Sequence, residues 1–282
     1  MARIVAGAGT SHIPAVGAAL DRGEAGNDYW RPIFAGFEPA REWIAGVAPD
    51  VAIIVYNDHA SAFSLELTPT FTLGLADRFL PADQGYGRRK VPAVEGNPEL
   101  ATHLLERLVA EEFDMAQALE MDVDHGLTVP LSVFCGAPDA WPFPVIPLAV
   151  NVIKYPQPTA RRCMRLGEAI GRAVASFGED LRVAVIGTGG MSHQLQGERA
   201  GMWNPEFDHA FLDDLTADPE RLAGLDHVSL VREAGSEGME LIMWLVMRGA
   251  LGDAPREAYR FYHYPASNTA LGLIAFDCEP AK

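Results

Sequence analysis

Residues 183–193 read Val183-Ala184-Val185-Ile186-Gly187-Thr188-Gly189-Gly190-Met191-Ser192-His193, an apolar run that ends in small residues and a histidine. The same order recurs at residues 4–12 and 51–59, which end in His12 and His59. Continuous apolar runs of this length indicate strands covered on both faces, as in α/β sheets. Ligands of such sheets bind at the carboxyl ends of the strands. The three histidines therefore predict a metal or acid–base site at one edge of the sheet.

The order of elements predicts a single α/β domain over residues 1–282, with a mainly parallel central sheet flanked by helices. The expected strands are 3–8, 51–57, 144–152, 181–187 and 271–277, and the expected helices are 32–47, 97–112, 159–177 and 236–249. Asn97 and Pro98 are typical of an N-cap and a first helical position. The Pro- and Gly-rich stretches 64–97 and 126–145 are expected to be long loops that carry function.

Charge and composition exclude several classes of partner. The chain has 22 basic and 38 acidic side chains and a formal net charge of −16, which disfavours nucleic acid. No run approaches the roughly 20 apolar residues needed to cross a bilayer, and no signal peptide is evident at the N-terminus. The three cysteines, at 135, 163 and 278, form no CxxC pair. We therefore expect a cytoplasmic protein with no nucleic-acid or membrane partner.

A carboxylate beside two histidines would complete a site for ferrous iron and leave open positions for substrate and dioxygen. Glu240 is the best source, because it directly precedes the apolar segment 241–247 and would be carried inward with it. An ionised carboxylate in that position is costly unless it meets a cation. Glu237, three residues earlier, is interpreted as a charge that complements the helix dipole.

Two other polar segments have two interpretations each. Asn57 and Asp58 precede His59, where they would orient the imidazole or contact substrate hydroxyls, or would only cap the following turn. His125 follows Asp124 and has two interpretations, as a second acid–base group or as a hydrogen-bonded loop histidine.

The glycines of residues 187–190 match neither GxxxxGK[ST] nor GxSxG. They predict a sharp turn after the strand that brings His193 close to a ligand. A neutral imidazole there would take a proton from a bound hydroxyl and return it later.

An ordered set of motifs covers nearly the whole chain. They are TSHIPA at 10–15, YNDHASAF at 56–63, MDVDHG at 121–126, GTGGMSHQLQG at 187–197, GSEGMEL at 235–241 and PASNTALG at 265–272. Each motif is weak alone, but together they resemble the class III extradiol ring-cleaving dioxygenases, the family that includes the catalytic beta chain of protocatechuate 4,5-dioxygenase.

The resemblance implies a non-haem Fe(II) site with His12, His59 and Glu240 as ligands. It also implies that His193 is the general base for the catechol and that His125 assists in acid–base steps.

The resemblance further implies a substrate site, in which Ser267 and Asn268 bind the substrate carboxylate and Asn57 lies near its hydroxyls. The implied reaction is cleavage of protocatechuate (3,4-dihydroxybenzoate) by dioxygen at the 4,5 bond, in the catabolism of aromatic compounds. Its product is 4-carboxy-2-hydroxymuconate semialdehyde.

The family also implies a partner, a small helical alpha subunit that covers the active site in αβ units forming a heterotetramer. Because 282 residues leave no room for a fused equivalent of that subunit, we expect a separate chain.

Three alternatives to this function remain at this point. They are the same chemistry on gallate, 3-O-methylgallate or another carboxylated catechol, a Zn²⁺-dependent hydrolase, and a non-catalytic scaffold of the same fold.

Overall fold

A computed structural model describes residues 1–253 and 255–278. Its strands are β1 (Arg3–Thr10), β2 (Val51–Tyr56), β3 (Phe71–Gly74), β4 (Arg78–Phe79), β5 (Val94–Glu95), β6 (Ala116–Ala118), β7 (Val145–Val150), β8 (Arg182–Thr188), β9 (Arg256–Ala266) and β10 (Thr269–Asp277). Its α-helices are α1 (Pro14–Asp21), α2 (Arg31–Val47), α3 (Pro98–Ala110), α4 (His125–Cys135), α5 (Ala160–Ala175), α6 (Pro205–Ala217), α7 (Pro219–Ala223), α8 (His227–Ala234) and α9 (Leu241–Ala250). A turn of 3-10 helix, Glu237–Glu240, leads directly into α9.

The central sheet has eight strands in the order β6-β3-β7-β2-β8-β1-β10-β9. The four inner strands β7, β2, β8 and β1 are parallel to one another. Strands β10 and β9 extend one edge in antiparallel fashion, and β3 pairs antiparallel with β7 at the other. This confirms the single α/β domain with a mostly parallel sheet flanked by helices.

Alternation along the inner strands builds a separate hydrophobic core on each face of the sheet. In β2, Val51, Ile53 and Val55 enter the core packed with α3, α5 and α9. Their neighbours Ala52, Ile54 and Tyr56 enter the opposite core, with α1, α2 and α4. Successive side chains of a strand point to opposite faces, so a run that is apolar throughout fits a sheet covered on both sides.

The predicted start of α3 is confirmed in detail. The Asn97 side chain accepts a hydrogen bond from the Leu100 backbone N–H at 3.0 Å, and Pro98 occupies the first turn. The side-chain oxygen thereby satisfies one of the free N–H groups at the helix start.

The expectation that residues 126–145 form a long loop is wrong for their first part, which is helix α4. Residues 125–134 of α4 are all buried, so the helix has no polar face and gives no amphipathic pattern. Pro130 lies inside it, where proline usually predicts a helix end. The expectation of a long loop over 64–97 is wrong in part, because strand β3 of the central sheet and the short strands β4 and β5 lie there. The half-exposed strand β9 was also absent from the expected elements. Within the described ranges, no helix is both long and apolar enough for a membrane span.

Candidate metal centre and active site

Three adjacent parallel strands end at one edge of the sheet. Strand β8 lies between β1 and β2, and the chain leaves these strands at Thr188, Thr10 and Tyr56. His12 and His59 follow β1 and β2 within a few residues, and His193 follows β8. All three line one pocket. The strand-then-histidine pattern therefore brings its three imidazoles to a common site.

A fourth histidine belongs to the same cluster. One ligand nitrogen each from His12, His59 and His125 lies within 4.8 Å of the others. The ring of His125 stacks on that of His59 at 3.9 Å between centroids, and His12 meets both rings edge-on at 5.2 and 5.5 Å. His125 is delivered by the start of α4, which the sequence did not reveal as a helix.

His59 is fixed from two sides. Its ring Nδ1–H and its backbone N–H both donate to Asp124 Oδ2, at 2.9 and 2.7 Å. On the far side of the ring, the Asn57 side-chain amide lies 3.0 Å from Nε2. Burial lowers the pKa of His59, but the charge and hydrogen bond of Asp124, with Glu240, outweigh burial and raise it to about 10. A metal at Nε2 would compete with a proton for this atom.

The Asp124 carboxylate gains from the same pairing. Burial raises its pKa, but the neighbouring His59 overcomes that effect and lowers it to about 2. Asp124 also accepts the Gly126 backbone N–H at 2.8 Å, so it caps α4 as well. One carboxylate thus orients His59 and begins the helix that carries His125.

Glu240 faces Nε2 of His59, across the ring from Asp124, and is 8% exposed. Its Oε2 accepts the Gly190 backbone N–H at 2.6 Å and lies 3.2 Å from His12 Nε2, and its Oε1 is 3.8 Å from His59 Nε2. Burial raises the pKa of Glu240, but the neighbouring imidazoles of His12 and His59 outweigh burial and hold that pKa well below its ordinary value. A buried, ionised carboxylate therefore faces two imidazole nitrogens.

The donor set fits a divalent metal. His12 Nδ1 is hydrogen bonded to Thr188 Oγ1 at 3.0 Å, while its buried Nε2 forms no hydrogen bond within the described part of the chain. If the ring proton is on Nδ1, the Nε2 lone pair points at Glu240, and lone pairs on nitrogen and oxygen repel unless a cation lies between them. Imidazole nitrogens whose other ring N–H is bonded to protein are the usual form of a metal-ligating histidine.

His125 is oriented by a residue that sequence reasoning missed. Its Nδ1–H donates to Gln84 Oε1 at 2.5 Å, which leaves Nε2 for the cluster. Burial and the nearby charge of His59 hold the pKa of His125 well below its ordinary value. His125 is thus held as a neutral imidazole. The prediction that residues 64–97 carry function covers Gln84, but no local signal distinguishes this glutamine from others.

The ring of His193 has a defined tautomer. Because a carbonyl only accepts, the 2.7 Å contact between His193 Nδ1 and the Met191 carbonyl places the proton on Nδ1 and leaves the Nε2 lone pair free. The turn before it needs glycine, as predicted. Gly189 has φ +139°, and a Cβ on Gly190 would lie 2.5 Å from His193 Cε1.

The pocket beside the cluster has a volume of about 380 Å³, within the usual range for small-molecule sites. Ile13, Pro14, Ala15 and Leu195 supply apolar walls. Ser267, in the turn between β9 and β10, and Thr269, the first residue of β10, also line the pocket. The Ser267 N–H donates to the Tyr29 hydroxyl. Asn268 is exposed in the same turn and does not line this pocket.

Asn57 and Asp58, which precede His59, differ in role: one contacts the imidazole and the other caps the turn. The Asp58 carboxylate accepts backbone N–H groups of Ser61, Ala62 and Phe63, so capping of the turn is its role. Asn57 is buried and contacts His59 instead. Glu237 is half-buried, lines the pocket and accepts the Leu195 N–H.

Comparison with known proteins defines the class. Residues 6–272 match the family model described as the catalytic LigB subunit of aromatic ring-opening dioxygenase. The chain therefore belongs to this family, whose members are metal-dependent ring-cleaving oxidoreductases.

Individual proteins similar to this chain are also dioxygenases. A gallate dioxygenase of Pseudomonas putida is 43% identical over 193 residues, 68% of this chain and 57% of that protein. The match thus spans little more than half the length of that relative. A 2,3-dihydroxyphenylpropionate/2,3-dihydroxicinnamic acid 1,2-dioxygenase of Photorhabdus laumondii is 26% identical, over 96% of both chains. Its counterpart from Paraburkholderia xenovorans is 29% identical over 86% of this chain and 88% of the relative.

A solved structure agrees with the fold. The crystal structure of the uncharacterized protein JW3007 from Escherichia coli K12 superposes with a TM-score of 0.60. The superposition covers 96% of this chain and 99% of the other, at 15% identity.

Proposed function

We propose that this protein is an Fe(II)-dependent extradiol dioxygenase that opens the ring of a carboxylated catechol. The proposed substrate is protocatechuate, cleaved by dioxygen at the 4,5 bond to give 4-carboxy-2-hydroxymuconate semialdehyde. One observation carries this proposal. The Nε2 atoms of His12 and His59 face the buried Glu240 carboxylate, beside a pocket that also contains His193.

His12, His59 and Glu240 are the proposed iron ligands. Two histidines and one carboxylate on one face are the ligand set of non-haem Fe(II) oxygenases. Bound Fe(II) would supply a centre that holds the catecholate and dioxygen together and lets electrons pass between them. Asp124 and Thr188 fix the far nitrogens of the two imidazoles, and the Gly190 N–H fixes the carboxylate.

His193 is the proposed general base. Its Nδ1 proton is held by the Met191 carbonyl, so Nε2 is available to accept a proton from a substrate hydroxyl. Held neutral by its surroundings, His125 is the proposed second acid–base group, with Gln84 fixing the nitrogen that carries its proton. The two imidazoles line the same pocket, so one substrate ring would contact both.

Ser267 and Asn268 are the proposed partners of the substrate carboxylate, and Asn57 that of a hydroxyl. A carboxylate substrate approaches a chain with a formal charge of −16, so local donors have to offset a repulsive mean field. Ser267 lines the pocket, which supports this assignment. Asn268 and Asn57 would contribute only if the turn or the His59 contact adjusts on binding.

Gallate is a second candidate substrate, favoured by the 43% identity to a gallate dioxygenase. Gallate adds one hydroxyl to the protocatechuate ring. A site built to bond that hydroxyl discriminates strongly against the analogue that lacks it. The ratio of kcat/KM values for the two acids therefore separates these substrates.

The proposal extends to the assembly. We infer one catalytic domain over residues 1–282, with a small separate alpha subunit in αβ units that form a heterotetramer. A cytoplasmic location is supported by Cys135 and Cys163, which form no disulfide in the described part of the chain.

The test is oxygen consumption after anaerobic loading with Fe(II), with protocatechuate or gallate, with and without a co-expressed alpha subunit. We expect one dioxygen per catechol and a yellow ring-opened product. His12→Ala and Glu240→Ala should abolish both oxygen uptake and stoichiometric iron binding. His103→Asn, on α3 and not among the residues that line the pocket, is the matched histidine control and should keep both. Iron bound without oxygen uptake for any carboxylated catechol would instead support the scaffold alternative.

A further inference from the structure

A network of hydrogen bonds adjoins the proposed base and contains none of the residues that line the pocket. At its centre is Asp208, on α6, which is 0% exposed. Its Oδ1 accepts the Ser192 backbone N–H at 2.8 Å, and its Oδ2 accepts the Ser192 hydroxyl at 2.6 Å and the Tyr262 hydroxyl at 2.7 Å. Ser192 directly precedes His193, so the network ends one residue from the base.

With Asp208 ionised, each bond in this network has one donor and one acceptor that follow from the groups involved. The Asn204 N–H donates to Ser192 Oγ, and Trp203 Nε1–H donates to the Tyr262 oxygen. A hydroxyl carries a single proton, so each of these two hydroxyls is free to donate its own to Asp208. The carboxylate then receives three donors and donates to none. Burial raises the pKa of Asp208, whereas the hydrogen bonds from Ser192 and Tyr262 favour its ionised form. Hydrogen bonds to an ionised carboxylate are charge-assisted and are the stronger ones.

A single peptide group connects Asp208 to the imidazole. The Met191–Ser192 peptide donates its N–H to Asp208 Oδ1, and its carbonyl accepts the His193 Nδ1–H. Because a peptide group is planar, holding its N–H also holds the direction of its C=O. Hydrogen bonds in series polarise one another, so an anion at the N–H strengthens the carbonyl as an acceptor.

We propose that Asp208 is a positioning residue for His193, acting through the Met191–Ser192 peptide. The carboxylate keeps the Met191 carbonyl aimed at the ring, and the carbonyl keeps the ring proton on Nδ1 with the opposite nitrogen facing the pocket. The inference rests on the proposed function, in which His193 is the base. Its structural half, the hold on the ring proton, is independent of that role.

The structure also shows why this support is needed. His193 follows a turn of two glycines, which impose little conformational restriction of their own. Its backbone N–H donates to the Ala234 carbonyl at 2.8 Å, which fixes the main chain but not the ring. The Met191 carbonyl is the contact that fixes the ring, and Asp208 is the group that fixes the peptide of that carbonyl.

The test compares Asp208→Asn with Tyr262→Phe. The first removes the charge with little change in shape, and the second removes a different donor to the same carboxylate and leaves both Ser192 bonds. The first measurement is exchange of the His193 Nδ1–H with solvent, by NMR of the ¹⁵N-histidine-labelled full-length chain treated with a chelator. The signal is assigned by its loss in His193→Gln.

We expect Asp208→Asn to speed this exchange by about tenfold or more, because the bond that protects the proton is weakened. In the iron-loaded enzyme, kcat/KM should fall by roughly 10- to 100-fold, mainly through kcat, as expected for a misaligned base. Tyr262→Phe should change both values by less than about threefold, since the Ser192 bonds remain.

Unchanged exchange in Asp208→Asn overturns the proposal. Faster exchange with full activity would confirm the hold on the ring and overturn the proposed role of His193 as the base, so the two failures are distinguishable. If Asp208→Asn does not fold, Ser192→Ala replaces it, because it removes the Oγ bond and keeps the N–H bond. Its exchange should be faster than that of Tyr262→Phe, and the reverse order contradicts the proposal.

Discussion

His59 and Asp124 are joined twice, because one carboxylate oxygen accepts both the ring Nδ1–H and the backbone N–H of the histidine. This pairing fixes the ring orientation and directs Nε2 toward Glu240. A carboxylate behind a histidine ligand also raises the basicity of the nitrogen that binds the metal. The contact therefore predicts that Asp124 affects metal affinity without being a ligand.

Asp124→Asn should weaken Fe(II) binding by about 10- to 100-fold, the usual effect of losing such a partner. Anaerobic titration with Fe(II) measures this effect. Asp226→Asn, at the exposed N-cap of α8, is a matched control for loss of a capping carboxylate. Equal affinities in wild type and Asp124→Asn would show that the pair does not support a ligand.

The cluster contains two possible ligand sets, which differ in Glu240 and His125. If Glu240 is the third ligand, Glu240→Gln should weaken iron binding by more than about 100-fold, beyond the effect of an outer partner. His125→Gln should keep one iron per chain and lose kcat, because His125 then acts only on protons. Iron content by elemental analysis, with kcat on the same samples, checks this. The opposite result would assign the site to the three histidines.

Gly190 is predicted to be required for the position of the His193 ring. In Gly190→Ala the new methyl would lie 2.5 Å from Cε1, so the ring has to move. We expect kcat/KM to fall by about 100-fold, as for a displaced catalytic group. Gly46→Ala is the control, because a Cβ there meets open space on helix α2. It should stabilise the protein by about 0.5–1 kcal/mol, measured as a rise in Tm. Normal kinetics in Gly190→Ala would place the working His193 ring elsewhere.

Cys135 is predicted to react slowly and with a steep pH dependence. Burial disfavours the thiolate and raises the pKa of Cys135 to about 12. The thiolate is the reactive form, and at pH 8 only about one molecule in ten thousand carries Cys135 as a thiolate. Its rate with iodoacetamide should therefore rise about tenfold per pH unit between pH 7 and 10. Peptide-resolved mass spectrometry measures this rate, and a plateau near pH 9 would indicate an ordinary, accessible thiol.

Ser267→Ala should raise KM for carboxylated catechols more than for catechol itself. The hydroxyl lines the pocket, and its loss leaves a substrate carboxylate with one donor fewer. A hydrogen bond to a charged group is worth about 1.5–3 kcal/mol, which corresponds to roughly 10- to 150-fold in KM. Steady-state kinetics with protocatechuate and catechol supply the comparison. Equal effects on both substrates would remove Ser267 from the carboxylate site.

The sequence predicted the helices and strands that depend on local patterns of residues. The runs 51–56 and 183–187 are apolar throughout, because both faces of the sheet are covered. Asn97 was recognised as an N-cap because capping depends on neighbours within one turn. Helix α4 was missed because it is buried on all sides and contains Pro130.

The candidate site was likewise predicted only in part. That His12, His59 and His193 would come together could be inferred, since parallel strands end at a common edge. The contacts that set their chemistry could not. His59 lies 65 residues from Asp124, and His125 lies 41 from Gln84. No spacing rule connects such residues.

The amino-acid sequence by itself determined a sheet covered on both faces, histidines at its carboxyl edge and a carboxylate drawn inward by α9. These properties depend on hydrophobic periodicity and on chain direction, which are local. Only the tertiary structure decided which nitrogen of each imidazole faces the pocket. That choice depends on hydrogen-bond partners from distant segments: Thr188 for His12, Asp124 for His59 and Gln84 for His125. For His193 the partner is local, but Asp208, 16 residues after Ser192, holds the peptide that presents it.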